Sequence, residues 1–214
     1  SGIAAAEFAA TANNVPLYKF SHQAGHIRAA LYSAHAEELS KERFLAFHVS
    51  GGTTEMLLVE NGKIEKIGGT VDLTAGQAID RVGVSMGLQF PCGAALEKLA
   101  LSASAPKTRP CVRGLECNLS GLENQAAKLL KGGATPEETA AYVIEFVRAT
   151  VEKLTENAFA EYGKMPVLYA GGVMSCSIIR KSLEAKFDGR FAEPAFSADN
   201  AAGVALLAYN AAQR

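Results

Sequence analysis

The feature that most constrains the fold is a run of three strand candidates between Phe44 and Gly69. FLAFHV at 44–49, EMLLVE at 55–60 and KIEKIGG at 63–69 are rich in branched and aromatic residues, which favour strands. The last two candidates are joined by Asn61-Gly62, a dipeptide typical of a two-residue type I′ turn. The sequence therefore predicts a three-stranded antiparallel meander.

Helix signals follow the meander and alternate with short strands. Thr135-Pro136-Glu137-Glu138 combines an N-cap threonine, a proline at the first helical position and a glutamate at the third, which together indicate a helix start. We expect helices over 2–13, 22–34, 75–86, 93–101, 121–130, 136–162, 173–185 and 201–212, strands over 15–20, 167–170 and 191–195, and irregular chain over 35–43 and 102–118. This order predicts one complete α/β unit over 44–214, with residues 1–43 as the end of another such unit.

Composition excludes several classes of function. Of the 214 residues, 49% are hydrophobic, so the chain has enough apolar surface for a sizeable core. The net charge of −1 gives no global basic field for nonspecific nucleic-acid binding. No apolar run reaches the roughly 18 residues of a membrane span. The four cysteines form no CxxC pair, so a zinc ribbon is disfavoured, and we expect reduced thiols, as in the cytoplasm.

The segment HQAGH at 22–26 is a candidate metal site. His22 and His26 lie four residues apart, so a helix brings both imidazoles to one face at a spacing that suits one metal ion. The alternative is a first-turn histidine beside a surface histidine. Gln23 stands where the zinc-peptidase motif HExxH carries its general-base glutamate. Because an amide cannot take up a proton, a peptidase of that type is disfavoured.

Two further segments could hold an anion or a hydroxylated ligand. Ser50-Gly51-Gly52-Thr53-Thr54 is either a phosphate-binding turn or an ordinary hairpin turn, and the preceding His48 is either buried or a ligand. Asp72 is a candidate helix cap. Asp80 lies inside an apolar helix, so it pairs with Arg81 or a lysine, or it holds ligand hydroxyls.

Three turns beside helices complete the set of candidates. Phe90-Pro91-Cys92-Gly93 is a turn between helices, and Gly171-Gly172 is a strand-to-helix turn of the kind that lines nucleotide sites. Asp199 is favoured at a helix start by the helix dipole, and its carboxylate is also a candidate third metal ligand.

Taken in order, these motifs resemble one family along nearly the whole chain. HQAGH, VSGGTTEMLLV, GQAIDR, FPCG, NLSGLE, AGGVMSCSIIR and SADNAAGVAL are similar to the motifs of the TsaD family, the catalytic subunit of tRNA threonylcarbamoyladenosine synthesis. The family was formerly called O-sialoglycoprotein endopeptidase or glycoprotease. The resemblance implies the α/β actin-like ATPase (ASKHA) fold. Residues 44–214 would then form a complete C-terminal lobe, and residues 1–43 a remnant of the N-terminal lobe that carries the histidine motif.

The resemblance also implies ligands and a reaction. His22, His26 and Asp199 match the ligands of one divalent iron or zinc ion. The implied reaction, in the cytoplasm, transfers the threonylcarbamoyl group from threonylcarbamoyl-adenylate to tRNA adenosine. The resemblance also implies partner subunits or a homodimer, and it assigns no catalytic nucleophile. The residues that match the contacts to the adenylate or ATP-type nucleotide are His48, Val49, Ser50, Gly51, Gly52, Asp80, Gly93 and Cys176.

Departures from the family pattern leave alternatives open. Ala24 and Gln77 replace glutamates, Thr53 a histidine, Cys92 a glycine and Cys176 an asparagine. These changes suit a divergent paralogue, and because the chain begins well inside the family pattern, we expect a fragment that does not catalyse alone. The alternatives are a noncatalytic nucleotide-binding or scaffold paralogue and, least favoured, a glycoprotease-type metallopeptidase. The basic residues at 107, 109 and 113 either meet RNA phosphates or form a solvated loop.

Overall fold

A computed structural model describes residues 2–196 and 201–213 of the chain. Its strands form a seven-stranded mixed sheet in the order β4-β5-β3-β2-β1-β6-β7. The strands are β1 (Phe44–Val49), β2 (Thr54–Glu60), β3 (Lys63–Thr70), β4 (Cys111–Arg113), β5 (Glu116–Asn118), β6 (Val167–Ala170) and β7 (Arg190–Phe191). The α-helices are α1 (Gly2–Ala12), α2 (His22–Ser33), α3 (Ala75–Ser85), α4 (Gly93–Ala100), α5 (Gly121–Lys131), α6 (Pro136–Tyr162), α7 (Ser177–Phe187) and α8 (Ala202–Ala212).

The antiparallel meander of β1, β2 and β3 is confirmed. Asn61 and Gly62 have φ angles of 51° and 77°, as a type I′ turn requires. β6 adds parallel to the other edge of β1 and β7 adds parallel to β6, so helical crossovers return the chain across the sheet. The sheet therefore continues beyond the meander, and the helices pack against this larger sheet.

Helices cover both faces of the central strand β1, which explains its almost continuous apolar sequence. Leu45, Phe47 and Val49 belong to the larger core, which α3, α4, α5, α6 and α7 share. Phe44 and Ala46 point to the other face, where α2 contributes Ile27, Ala30 and Leu31. His48 is the one half-buried residue of β1. The imidazole of His48 thus lies on the α2 face of the sheet, near the end of an otherwise buried strand.

The long helix α6 begins as its sequence predicts. The Thr135 hydroxyl accepts a hydrogen bond from the Glu138 amide at 3.2 Å, and the Glu138 carboxylate accepts one from the Thr135 amide at 2.9 Å. Together they form a complete capping box with Pro136 at the first helical position. The helix buries Val143, Phe146 and other residues at helical spacing and forms the centre of the larger core.

Two strand predictions are wrong in this structure. The segment 15–20 is irregular rather than a strand, and its apolar side chains Val15, Leu17 and Phe20 are exposed. No described strand lies beside this segment, so its backbone amides have no ladder partner and the apolar pattern alone does not form a strand. The predicted strand at 191–195 is reduced to β7 at 190–191, followed by a 3-10 helix over Pro194–Phe196.

Two segments expected to be irregular contain secondary structure. Glu37–Lys41 forms a 3-10 helix, and the antiparallel hairpin of β4 and β5 lies within 102–118. The hairpin escapes prediction because each strand has three residues and the outermost strand is largely exposed. After Gly171 the chain forms a 3-10 helix over Gly172–Ser175 before α7, so the predicted helix begins later than expected.

Other sequence predictions have mixed outcomes. All four cysteines are free thiols, as expected. Across residues 2–196 and 201–213, no helix combines the length and the apolar composition that crossing a bilayer requires. The division into residues 1–43 and 44–214 stays a prediction. In the structure α2 packs on the sheet, whereas α1 buries none of its residues.

Candidate functional site

The glycine turn between β1 and β2 is ordered by its own serine. The Ser50 hydroxyl accepts hydrogen bonds from the amides of Gly52 and Thr53 at 3.3 and 3.1 Å. The Ser50 amide donates to the Thr53 carbonyl at 2.7 Å, which closes the turn. Gly51 and Gly52 are exposed, and a Cβ built on either glycine would meet nothing within 4 Å. The turn therefore presents open backbone to solvent, as an anion-binding loop needs.

The start of α3 is locked against this turn. The Thr74 hydroxyl donates to the Gly51 carbonyl at 2.8 Å, and the Gly76 amide donates to the Ser50 carbonyl at 3.2 Å. A Cβ on Gly76 would lie 2.6 Å from the Gly51 Cα atom, a distance that real Cβ atoms do not reach. Glycine is required at position 76 because the helix backbone lies directly on the turn.

A cavity of about 410 Å³ opens beside the glycine turn. Its walls come from the turn, from α3, from the loop before α4, from α4, from α6 and from the 3-10 helix before α7. It gathers four of the residues that the family resemblance assigns to the nucleotide: Gly51, Asp80, Gly93 and Cys176. Because these residues come from four separate parts of the chain, the fold itself assembles the cavity.

Asp80 holds the far wall of the cavity. Its Oδ1 atom accepts a hydrogen bond from the Cys92 amide at 2.7 Å, which fixes the turn that leads into α4. Of the alternatives that the sequence left open for Asp80, pairing with Arg81 is not observed, since the Arg81 guanidinium lies 3.8 Å from the Glu123 carboxylate. Burial raises the pKa of the Cys92 thiol, and the Asp80 charge raises it further, so this thiol stays protonated.

Cys176 lies at the opposite wall, at the N-cap of α7. It is buried, and its side chain makes no capping hydrogen bond. Burial raises the pKa of its thiol, and the nearby Glu97 carboxylate contributes to the increase. A neutral thiol is a poor nucleophile, so the environment of Cys176 argues against a covalent role.

Sequence reasoning missed Glu97, which also lines the cavity. Its Oε1 atom accepts hydrogen bonds from the amide and the hydroxyl of Ser177 at 2.7 and 2.5 Å, so it ties α4 to the start of α7. The signal was present, because Glu97 follows Gly93 by four residues and therefore shares its helix face. Ile144 and Ser175, which also line the cavity, carry no comparable signal in the sequence.

Asp72 is not the helix cap that the sequence predicted. Thr74 caps α3, and Asp72 instead accepts hydrogen bonds from the amides of Leu73, Leu119 and Ser120, and from the Ser120 hydroxyl and the Asn118 side-chain amide. Burial raises the pKa of Asp72, but these hydrogen bonds outweigh that effect and hold the pKa well below its ordinary value. The carboxylate therefore joins β5 and α5 to the turn beside the cavity.

The histidine motif lies on the α2 side of the sheet. Ser21 caps α2 by accepting a hydrogen bond from the Ala24 amide at 3.1 Å, which places His22 and His26 on consecutive turns. Their Nε2 atoms are 2.9 Å apart. The His48 ring lies 4.7 Å from the His26 ring, measured between centroids. Three imidazoles therefore lie together, and the side chain of His48 is next to the histidine pair rather than in the cavity.

The remaining predicted nucleotide contacts lie around the turn. The Val49 side chain is fully buried, and Val49 does not line the cavity. Ser50 and Gly52 are in the turn itself, outside the lining of the cavity.

Helix α8 packs closely on the helix that carries the histidine pair. A Cβ on Gly203 would lie 1.8 Å from the Gly25 carbonyl oxygen, so only glycine permits this approach. The predicted third ligand, Asp199, lies outside the described residues. Within 2–196 and 201–213, no group of three His, Cys, Asp or Glu side chains is arranged to hold a metal ion. The histidine pair thus offers two nitrogen ligands of the kind that iron and zinc accept.

A larger cavity of about 1130 Å³ lies at the other end of the parallel strands. It is bounded by Leu39, Phe159 and Phe187 together with acidic and basic side chains, and it contains none of the predicted site residues. Ligands of open α/β sheets bind at the carboxyl ends of the strands, which is where the smaller cavity lies.

Comparison with known proteins finds relatives of one family. The sequence model of the TsaD family, tRNA N6-adenosine threonylcarbamoyltransferase, matches residues 1–206. The chain is 28% identical over 209 residues to the tRNA N6-adenosine threonylcarbamoyltransferase of Methanopyrus kandleri, covering 95% of this chain and 60% of the relative. It is 34% identical over 200 residues to the enzyme of that name from Bacillus licheniformis, covering 88% of this chain and 58% of the relative. The chain therefore spans less than two thirds of the length of these curated relatives.

Solved structures support the fold. A full-length HypF structure in a phosphate- and nucleotide-bound form matches with a TM-score of 0.67 at 13% identity, covering 83% of this chain and 40% of that one. Component A of the (R)-2-hydroxyglutaryl-CoA dehydratase of Acidaminococcus fermentans matches with a TM-score of 0.61 at 17% identity, covering 95% of this chain and 73% of that one. Both neighbours are ASKHA-like proteins with the actin fold, so the predicted fold class is confirmed.

Proposed function

Because this chain belongs to the TsaD family, we propose that it acts in tRNA threonylcarbamoyladenosine synthesis as the part of a threonylcarbamoyltransferase that binds the adenylate. The observation that carries the proposal is the cavity of about 410 Å³ beside the glycine turn. Gly51, Asp80, Gly93 and Cys176 meet there, although the sequence separates them widely. A volume of this size suits a nucleotide.

The residues of the cavity divide naturally between the parts of an adenylate. The open backbone at Gly51 and Gly52 accepts the phosphate, because no side chain obstructs it. Asp80 already uses Oδ1 to hold the Cys92 amide, and its other carboxylate oxygen serves a ribose hydroxyl. The apolar side chains of Ile79 and Ile144 line the same cavity and offer a surface for the base.

The histidine pair holds the metal ion in this proposal. His22 and His26 supply two imidazole nitrogens, and Asp199 supplies a carboxylate. The choice of Asp199 is motivated by the sequence, because Asp199 precedes α8, and α8 packs through Gly203 on Gly25 of α2. A bound iron or zinc ion would supply Lewis-acid polarisation of the carbamoyl carbonyl group.

The transfer itself needs no protein nucleophile. The exocyclic amine of the tRNA adenosine forms a bond to the carbamoyl carbon and releases a proton to water. The bond from that carbon to the phosphate oxygen of the adenylate breaks, and its electron pair stays on the phosphate. AMP leaves. This agrees with the neutral thiols of Cys92 and Cys176, whose pKa values burial raises. The chain contributes by positioning the adenylate and by keeping the carbamoyl carbonyl of the adenylate in a fixed orientation.

The proposal is tested by supplying the chain with threonylcarbamoyl-adenylate and unmodified tRNA under metal-replete conditions. Mass spectrometry of the digested tRNA measures the modified adenosine, and elemental analysis measures bound metal. We expect His22→Ala to lose bound metal, together with any transfer that the parent chain shows. His35→Ala is the matched control, because His35 is an exposed histidine just beyond the same helix, and we expect it to keep both.

The outcomes separate the candidate functions. Transfer by the His22→Ala variant at the rate of the parent chain would contradict the metal assignment. Nucleotide binding without bound metal in the parent chain would favour a noncatalytic nucleotide-binding paralogue. Binding of both nucleotide and metal without transfer is the result expected of a fragment that does not catalyse alone. The replacement of the family asparagine by Cys176 is the observation on the side of that alternative.

A further inference from the structure

The segment from 107 to 113 has an exposed basic face. Exposure alternates along it, so that every second residue is exposed and the residues between are half-buried. Such a period of two is typical of an extended chain lying on a protein surface. The exposed positions are Lys107, Arg109, Cys111 and Arg113, so three of the four are basic.

This basic edge, Lys107 to Arg113, ends with β4, the outermost strand of the sheet. In an extended chain, alternate side chains lie about 7 Å apart, and the segment spans about 20 Å. That spacing is close to the separation of successive phosphates along a nucleic-acid strand. An extended polyanion can therefore meet Lys107 and Arg109 with neighbouring phosphates and Arg113 further along.

The positive charges of the basic edge are not neutralised within the protein. Among the residues that the structure describes, Lys107, Arg109 and Arg113 form no ion pair. Arg113 is opposite Glu116 in the hairpin register, yet their charged groups do not come within ion-pair distance. Lys186 contrasts with them, since it contacts the carboxylates of both Glu152 and Glu156.

The chemistry of the edge favours a polyanion over a docked protein strand. Pro106 and Pro110 lie within or beside the segment and have no amide hydrogen to donate. An added β-strand would need those donors. Guanidinium and ammonium groups need only phosphate oxygens, which Arg can bind in a bidentate manner.

A chain of contacts joins the basic edge to the cavity. Cys111 at the start of β4 pairs with Asn118 of β5, and the Asn118 side chain donates to Asp72 at 3.2 Å. Asp72 lies in the turn before α3, where Thr74 donates to the carbonyl of Gly51. Cys111, in the middle of the basic edge, therefore lies at the same end of the sheet as the glycine turn.

We propose that the basic edge binds the phosphate backbone of the tRNA that accepts the threonylcarbamoyl group and directs this tRNA toward the cavity. This inference rests on the proposed function, because that function supplies the tRNA. It adds a binding surface remote from the chemistry, formed by Lys107, Arg109 and Arg113.

The test measures binding of fluorescently labelled tRNA to the chain by anisotropy across a range of salt concentrations. The variant Lys107→Gln/Arg109→Gln/Arg113→Gln removes three phosphate contacts. We expect weaker binding and a log–log salt dependence whose slope is smaller by about 2 to 3. The variant Lys107→Arg/Arg109→Lys/Arg113→Lys keeps the charges, and we expect it to keep the slope of the parent chain.

A charge-matched control replaces Lys41, Lys164 and Lys181 by glutamine. All three are exposed, lie elsewhere on the surface and form no ion pair within the described residues. The control therefore changes the net charge by the same amount, and we expect a slope close to that of the parent. Circular dichroism and light scattering confirm that each variant is folded and monodisperse.

An equal loss of slope in both glutamine variants would overturn the inference, because the effect would then be one of net charge. An unchanged slope in the variant of the basic edge would also overturn it, and the proposed function would stand. Failure of the parent chain to bind tRNA even at low salt would overturn the inference, and it would also overturn the proposal that tRNA is the acceptor substrate. A separate titration with AMP would then show whether the nucleotide cavity itself functions.

Discussion

At the scale of residues, the two aspartates near the glycine turn show how far a local interpretation of the sequence reaches. The sequence predicted a helix cap for Asp72 and a neighbouring cation or a ligand hydroxyl for Asp80. In the structure, Asp72 accepts hydrogen bonds from three residues around position 119, and Asp80 accepts one from Cys92. These partners are distant in sequence for Asp72 and belong to a turn for Asp80, so only the folded chain identifies them.

Replacing Asp72 by asparagine should lower stability in a pH-dependent manner. Because the pKa of Asp72 is lowered in the folded state, its contribution is present above the unfolded value of about 3.8 and is lost as the pH falls toward the folded-state value. At pH 7 we expect a loss of about 1 kcal/mol, since solvent screens an exposed carboxylate. Urea unfolding of parent and variant between pH 7 and pH 3 measures the difference.

Asp188→Asn is the control for this prediction. Asp188 is highly exposed and, among the described residues, forms its one ion pair with Arg190. It ends α7 in the left-handed conformation, which asparagine tolerates. We expect a change within about 0.5 kcal/mol at every pH. A gap between parent and Asp72→Asn that stays constant down to pH 3 would contradict the role assigned to the Asp72 charge.

The histidine motif was predictable at this scale, because helix geometry alone places residues four apart on one face. The 2.9 Å separation of the two Nε2 atoms agrees with that reasoning. The position of His48 was not predictable in the same way. Its neighbourhood depends on which face of β1 meets α2, and this is decided by the register of the sheet.

At the scale of elements, strong local signals gave correct boundaries. The capping box at Thr135 and the Asn61-Gly62 turn are both present, because each satisfies its own backbone within a few residues. The failures are elements that depend on distant partners. The segment 15–20 has an apolar sequence but no neighbouring strand, whereas β4 and β5 are short and exist because β5 pairs with β3.

The capping box gives a prediction for α6. Thr135→Ala removes the hydroxyl that accepts the Glu138 amide, and we expect the free energy of unfolding to fall by about 1 kcal/mol. Thr11→Ala is the control, because Thr11 is an exposed helical threonine with no capping role, and we expect a smaller change. If chemical denaturation gives the same loss of unfolding free energy for Thr135→Ala and Thr11→Ala, the capping box contributes no special stability.

At the scale of the whole molecule, the order of strands and helices was sufficient to predict an α/β fold. The order of strands in the sheet was not predictable from spacing, because β5, β6 and β7 add to the meander through crossovers. The same applies to the cavity. Gly51, Asp80, Gly93 and Cys176 had weak individual signals, and the fold makes them one site.

The measurement that tests the account most directly is calorimetric titration of the chain with AMP. Ala94 lines the cavity beside the glycine turn, so Ala94→Trp fills it, whereas Ala185→Trp fills the larger cavity at the other end of the strands. We expect the parent chain and Ala185→Trp to bind AMP with equal affinity, and Ala94→Trp to bind at least about tenfold more weakly, a loss of about 1.4 kcal/mol. Undiminished AMP binding by Ala94→Trp, or loss of binding in Ala185→Trp, would contradict the assignment of the nucleotide site.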